Sequence, residues 1–134
     1  MIRQIAHICT FSCDLAESEK FYCGALGLEK RFEFIRGGEV IGIYLNAGGN
    51  TFIEIFKNSE NADEGQIKHL CLETYDIEAV AKSLKNNGYE TTEIKTGNDK
   101  SLQVWTADPD GVKIEFHQYT PQSHQFTGGK VYLN

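Results

Sequence analysis

The chain lacks the features that mark several large protein classes. It has only two prolines, Pro109 and Pro121, so nothing before residue 109 is a proline-rich linker or a proline-kinked helix. Its four cysteines, Cys9, Cys13, Cys23 and Cys71, include no Cys-x-x-Cys pair. That argues against a zinc ribbon or a disulfide scaffold and predicts reduced thiols in a cytoplasmic protein. Positive charge is scarce: 13 Lys and Arg stand against 19 Asp and Glu, a net charge of −6. A nucleic-acid partner is therefore not expected, because a phosphate backbone needs a basic patch. No apolar run approaches the roughly 20 residues of a membrane span. The N-terminus enters a strand-like segment at once, without a signal-peptide pattern. The remaining composition, 40% hydrophobic and 24% charged over 134 residues, suits one compact domain with a real core.

What is present is a repeated histidine. Ile5-Ala6-His7-Ile8-Cys9 returns as Ile67-Lys68-His69-Leu70-Cys71, 62 residues later. Each histidine is followed by a glutamate inside an apolar strand pattern. Glu54 lies 47 residues after His7, in Phe52-Ile53-Glu54-Ile55-Phe56, and Glu115 lies 46 after His69, in Lys113-Ile114-Glu115-Phe116-His117. A lone strand histidine is usually a core or surface residue. Four such residues at duplicated positions point instead to a shared metal site.

The surrounding pattern repeats as well. Module one, about 1–58, starts with a strand from Ile2 to Phe11. Asp14 then caps a helix, with Glu17 placed as in a capping box. Leu15, Ser18, Tyr22, Ala25 and Leu26 lie on or near one stripe of it, and Gly27 ends it. Strands follow over 29–35, 40–46 and 51–57, separated by Gly37-Gly38 and Gly48-Gly49-Asn50. A polar linker spans about 58–65. Module two, about 66–120, runs as a strand over 66–74, a helix capped by Asp76 and ended by Gly88, and strands over 89–94, 101–107 and 112–119. Its turns are Gly97-Asn98-Asp99 and Asp108-Pro109-Asp110-Gly111. The tail, 121–134, is weakly patterned and reads as a flap or a partner contact; His124 within it reads as solvated. The expected fold is α+β: two βαβββ modules pairing into a curved, eight-stranded incomplete barrel within one domain.

Strand alternation sorts the side chains. His7, Cys9 and Phe11 share one face, as do Phe52, Glu54 and Phe56. Glu115 and His117 face away from Ile114 and Phe116. A carboxylate flanked by two phenylalanines is costly unless partnered. A divalent ion shared by His7, Glu54, His69 and Glu115 would neutralise both glutamates. Such a mixed N/O set suits Ni²⁺, Co²⁺, Zn²⁺, Fe²⁺ or Mn²⁺. It would leave positions for two neighbouring substrate oxygens and would stabilise a developing enediolate. A glutamate beside the substrate can then move a proton. Phe11, Lys100, Trp105 and His117 are candidate substrate contacts, and His117 is also an alternative ligand. Cys9 and Cys71 follow their histidines by two residues and read as small apolar side chains lining the same face.

These motifs resemble the vicinal oxygen chelate superfamily, the group of glyoxalase I, extradiol dioxygenases, methylmalonyl-CoA epimerase and bleomycin resistance proteins. The resemblance runs from Ile5 to Tyr119. Its marks are the segment from Asp14 to Tyr22 followed by Leu26-Gly27-Leu28, then Phe52-Ile53-Glu54, Ile67-Lys68-His69, and Asp108-Pro109-Asp110-Gly111 before Ile114-Glu115. It implies metal positions at His7, Glu54, His69 and Glu115, the pattern of the bacterial glyoxalase I that uses nickel or cobalt, with zinc as the other option. By that resemblance Glu115 is the main proton shuttle, Glu54 shares the role, and Asn58 is a glutathione contact. The substrate would be the hemithioacetal of methylglyoxal and glutathione, and the chain a homodimer. One departure bears on glutathione: Cys9-Thr10-Phe11-Ser12 stands where that type carries an arginine. Alternatives are an epimerase or isomerase of another hydroxy-carbonyl compound, an extradiol dioxygenase, and a small-molecule or antibiotic binding protein.

Overall fold

The computed structural model describes residues 1, 5–58, 65, 67, 69–131 and 133. The expected strand positions 2–4, most of the linker, and residues 66, 68, 132 and 134 lie outside the described residues. Among the described residues eight strands form two four-stranded sheets. Strands β1 (His7–Ser12), β2 (Glu29–Arg36), β3 (Glu39–Gly48) and β4 (Thr51–Lys57) make the first, in the order β1-β4-β3-β2. Strands β5 (Leu70–Glu73), β6 (Lys95–Thr96), β7 (Leu102–Ala107) and β8 (Lys113–Gln118) make the second, in the order β5-β8-β7-β6. The two orders are the same permutation, with the outer pair parallel and the rest antiparallel in each. The duplicated βαβββ pattern is thus present in both halves. By contacts the chain divides into one unit of residues 1–67 with 108–112, and another of 68–107 with 113–134.

In the first unit Asp14 caps α1 (Leu15–Glu19) by accepting the N–H groups of Ala16 and Glu17. The capping box is corrected: Asp14's own N–H goes to Ser12 Oγ at 3.1 Å, and Glu17 pairs with Lys20 instead. In the second unit Thr74 Oγ1 accepts the Asp76 N–H in the same way, and Asp76 caps α2 (Ile77–Asn86) through Ala79 N–H. The short Ser or Thr hydroxyl two residues before the cap is part of the repeat.

After Glu19 the first helix widens into a π-helical stretch, Lys20–Ala25. Leu26 N–H reaches back to Phe21 C=O, and Leu28 N–H to Tyr22 C=O at 2.9 Å. Gly27, at φ 73°, then turns the chain away. The wider turn lets Phe21 and Tyr22 both be fully buried beside Ala25. A strict 3.6-residue stripe predicts only Tyr22 and Ala25 there. Ile43 and Leu45 of β3 and Ile53 and Ile55 of β4 are buried as well and complete the core of this unit. The second core is Leu70, Ile77, Ala81, Leu84, Val104, Ile114 and Phe116. Each Val, Leu, Ile or Phe side chain among them contributes about 1.5–3 kcal/mol by leaving water.

Two further expectations are corrected. Residues 89–94 form no ladder, and β6 is only Lys95–Thr96. Thr92 N–H does bond Trp105 C=O, but Trp105 N–H is taken by Thr92 Oγ1 at 3.0 Å, and Thr106 Oγ1 donates to Glu90 C=O. Side-chain hydroxyls have replaced the strand's own backbone partners. The tail carries a short helix, α3 (His124–Thr127), preceded by a fully buried Ser123. His124 is half-buried rather than solvated; its N–H bonds Asp99 C=O, and its Nδ1 lies 2.8 Å from Gly128 C=O. No disulfide joins the four cysteines. Among the described residues no helix is long and apolar enough to cross a membrane.

Candidate functional site

Each sheet has a helix-packed face and an opposite, open face. The expected site residues that lie on strands, His7, Phe11, Glu54, Trp105, Glu115 and His117, fall on the open faces, as alternation requires. In the first sheet Glu54 is the register partner of Cys9 on one side and of Tyr44 on the other. In the second, Glu115 is the register partner of Cys71 and of Trp105. The histidines repeat the likeness. His7 packs edge-on to Tyr44 at 5.8 Å between ring centroids, and His69 edge-on to Trp105 at 4.9 Å. Each half therefore presents a row of thiol, carboxylate and aromatic ring, with an imidazole against the ring.

The two rows differ in burial. Glu54 is half-buried, while Glu115 is buried at 8% exposure. His7 is exposed; its Nδ1 lies 3.3 Å from Tyr44 Oη. His69 Nε2 lies 3.4 Å from Glu115 Oε2. On the other side of that carboxylate, His117 Nε2 lies 2.8 Å from Glu115 Oε1, although the two are not aligned as a hydrogen bond. His117 Nε2 is otherwise buried without a partner. Its second ring nitrogen, Nδ1, faces Ser101 Oγ at 3.4 Å and Asp99 Oδ2 at 3.9 Å. Asp99 is anchored by Ser101 N–H, Ser101 Oγ and Gln125 Nε2. Burial opposes its ionisation, but the hydrogen bonds from Gln125 and Ser101 and the nearby His117 outweigh it and hold the carboxyl near 2.

Both thiols are discouraged from ionising. Burial pushes Cys9 up to about 11, helped by its hydrogen bond to Glu54 and by that glutamate's charge. Cys71 keeps an exposed edge, yet burial of its sulfur and the adjacent charge of Glu115 push it up to about 12. Cys71 Sγ, a Glu115 oxygen and a His117 nitrogen all lie within 4.8 Å of one another, a spacing that one ion can bridge.

A family model for the Glyoxalase/Bleomycin resistance protein/Dioxygenase superfamily matches residues 4–116. The chain belongs to this superfamily. Solved structures of similar fold include three instructive ones. The glyoxalase family protein from Enterococcus faecalis is 24% identical, with a TM-score of 0.71 over 86% of this chain and 97% of that one. TnmS3, an antibiotic binding protein from Streptomyces sp. CB03234, is 19% identical, with a TM-score of 0.74 over 89% and 98%. The lactoylglutathione lyase from Agrobacterium tumefaciens is 16% identical, with a TM-score of 0.66 over 86% and 92%. At these identities the likeness is one of fold. No curated protein matches the chain in sequence.

The other expected contacts of this superfamily member are placed as follows. Phe11 is exposed at the end of β1, in register with Phe56. Asn58 follows β4, and its N–H bonds Ser12 C=O. Trp105 is half-buried on the open face of the second sheet. Lys100 is exposed at φ 69° in the turn before β7, where its N–H bonds Gly97 C=O. Its position is set by the turn rather than by the site rows. Sequence reasoning missed Asp99, Ser101 and Gln125 behind His117. The short sequence distance from Asp99 and Ser101 to Gln103, the register partner of His117, was the one available signal.

Proposed function

We propose that the protein is a metal-dependent lyase or isomerase of the glyoxalase I type. It would convert a 2-oxoaldehyde–glutathione hemithioacetal to the S-2-hydroxyacylglutathione. The observation that carries this reading is the paired rows: a glutamate in register between a thiol and an aromatic ring, with a histidine edge-on to that ring, once in each half. Members of this superfamily commonly bind a divalent metal. The donor set fits one: the buried Glu115 has an imidazole nitrogen within 3.4 Å of each of its oxygens, and the one from His117 is buried without a hydrogen-bond partner.

His7, Glu54, His69 and Glu115 would hold the ion, with Ni²⁺ or Co²⁺ favoured and Zn²⁺ as the other option. When bound, the ion supplies Lewis acidity at two neighbouring substrate oxygens. Glu115 takes the proton from the carbon bearing sulfur and returns it to the adjacent carbon, so no oxidant or reductant is needed. Glu54 shares or exchanges that role. Phe11, Trp105 and His117 shape and line the substrate's surroundings, Asn58 and Lys100 supply polar contacts, and two copies of the chain assemble as a homodimer.

Apo protein refilled separately with Ni²⁺, Co²⁺, Zn²⁺ and Mn²⁺ is the test, assayed on the methylglyoxal–glutathione hemithioacetal. Metal-dependent thioester formation supports the reading. Tight metal binding without turnover removes glutathione and redirects the search to other hydroxy-carbonyl substrates.

A second reading rests on a separate observation. The open face of the first sheet carries a continuous aromatic surface. Tyr44 stacks on Phe32 at 4.5 Å and on Phe52 at 5.0 Å, and Phe34 lies 4.7 Å from Phe56. Phe32 is 48% exposed. Such a wall suits a flat aromatic small molecule, in keeping with sequestration of an antibiotic.

A further inference from the structure

We propose that Cys71, Glu115 and His117 bind a divalent ion of their own within the second unit, and that this ion is a sulfur-accepting one such as Zn²⁺ or Co²⁺. His7 and Glu54 play no part in it, so it stands whether or not the lyase reading holds.

Register brings the three together. Cys71 on β5 is the partner of Glu115 on β8, and His117 follows Glu115 by two residues on the same face. Their donor atoms already lie within 4.8 Å of one another. Zinc bonds of about 2.0–2.3 Å require ligand atoms roughly 3–4 Å apart, so small side-chain rotations close the set. The His117–Glu115 separation of 2.8 Å is slightly inside that spacing, so these two open a little as Cys71 closes.

The decisive atom is His117 Nε2. It is buried, has no hydrogen-bond partner and lies 2.8 Å from a carboxylate oxygen with which it is not aligned. A buried imidazole nitrogen left in this state is costly unless something binds it. Behind the ring, Asp99 and Ser101 stand at Nδ1, and Gln125 fixes Asp99 in turn. A carboxylate behind the second nitrogen is how ligating histidines are oriented and made more basic. On binding, the ion displaces the Cys71 proton to solvent, and the thiolate and carboxylate then carry two negative charges, which a divalent ion neutralises. The sulfur distinguishes this set from the N/O set of the paired rows and favours a borderline-soft ion. Glu115 belongs to both, through Oε1 here and Oε2 toward His69.

The test uses the full chain as apo protein, kept reduced and titrated with Co²⁺ alone. The expected result is a thiolate-to-cobalt charge-transfer band in the near ultraviolet. The band should persist in Cys9→Ser and in a His7→Ala/Glu54→Gln double variant, and vanish in Cys71→Ser and Cys71→Ala. His117→Ala should weaken Co²⁺ binding at least tenfold, and Asp99→Asn by roughly 10–100-fold. Far-ultraviolet circular dichroism confirms the fold of each variant. A wild-type Co²⁺ complex without the band overturns the proposal, as does a band that survives loss of Cys71 or depends on Cys9. A double variant that loses turnover but keeps the band supports this site and leaves the lyase reading intact. Loss of the band in that variant overturns the site's independence.

Discussion

Tyr22 donates its phenolic O–H to Asp108 Oδ2 at 2.8 Å, joining residues 86 apart in the chain. The tyrosine is fully buried in the π-helical stretch. Asp108 uses its other oxygen, Oδ1, to accept the N–H groups of Asp110 and Val112. Tyr22→Phe removes the only side-chain donor to Oδ2 among the described residues. A buried carboxylate oxygen left without a donor costs about 1.5–3 kcal/mol. Urea unfolding should show that loss as a lower midpoint at unchanged slope. A change below roughly 0.5 kcal/mol would place the bond among contributions offset by desolvation.

The same pair sets a pH dependence. Burial, then the charge of Asp108 and its hydrogen bond, push Tyr22 well above its usual 10.0. The folded protein holds this proton more tightly than the unfolded chain does. Its stabilisation is therefore complete below pH 10 and is lost as pH rises beyond it. Asp108 is also raised, by burial that outweighs its hydrogen bonds. Its contribution has the same sign, declining as pH rises through the carboxylate range. Unfolding midpoints measured across the alkaline range should fall more steeply for wild type than for Tyr22→Phe. Parallel slopes would assign the alkaline loss to other groups.

Glu115→Gln keeps the shape of the side chain and removes its capacity to carry a proton. On the proposed mechanism turnover of the hemithioacetal falls by about 10²–10⁴-fold. Circular dichroism should be unchanged, and metal content measured alongside separates a lost ion from a lost base. Retained turnover would move the proton transfer to Glu54.

Gly42, on β3, is the register partner of Phe56. A β-carbon added there would meet Phe56 Cδ1 at 2.7 Å and Ile55 C=O at 2.9 Å. The ring can turn aside, but the backbone oxygen belongs to the central ladder and is fixed. Gly42→Ala should destabilise the protein by about 1–3 kcal/mol, read as a lower melting temperature. Because Phe56 supports Phe34, the aromatic wall should also loosen, seen as lower affinity for a flat aromatic probe. A neutral substitution would show that the two strands can separate locally without cost.

Much of this molecule was legible in its residues. The offset between His7 and His69 gave the repeat, and alternation placed Glu54 and Glu115 on the open faces opposite Ile53, Ile55, Ile114 and Phe116. Strand β4 was bounded to the residue, because Gly48-Gly49-Asn50 and an apolar alternation both mark it. Other features were hidden for physical reasons. The π-helical stretch follows from packing Phe21 and Tyr22 together, which no local propensity announces. Residues 89–94 look like a strand, yet Thr92 and Thr106 bond with side-chain oxygens where backbone pairing was expected. The support behind His117 needs three segments, around Asp99, Ser101 and Gln125, whose meeting depends on tertiary structure.

The turn at 108–112 is encoded between two strands of the second sheet but takes its contacts with the first unit. Asp108 satisfies Tyr22, and Asp110 accepts the Cys13 N–H at 2.7 Å and meets Ser18 Oγ at 3.4 Å. A gene split after residue 67 would therefore not yield a finished half. The excised fragment would lack the five residues that close its helix, and would need them grafted on or supplied by its complement before it could stand alone. Duplication is written into the sequence, but the halves are no longer interchangeable parts.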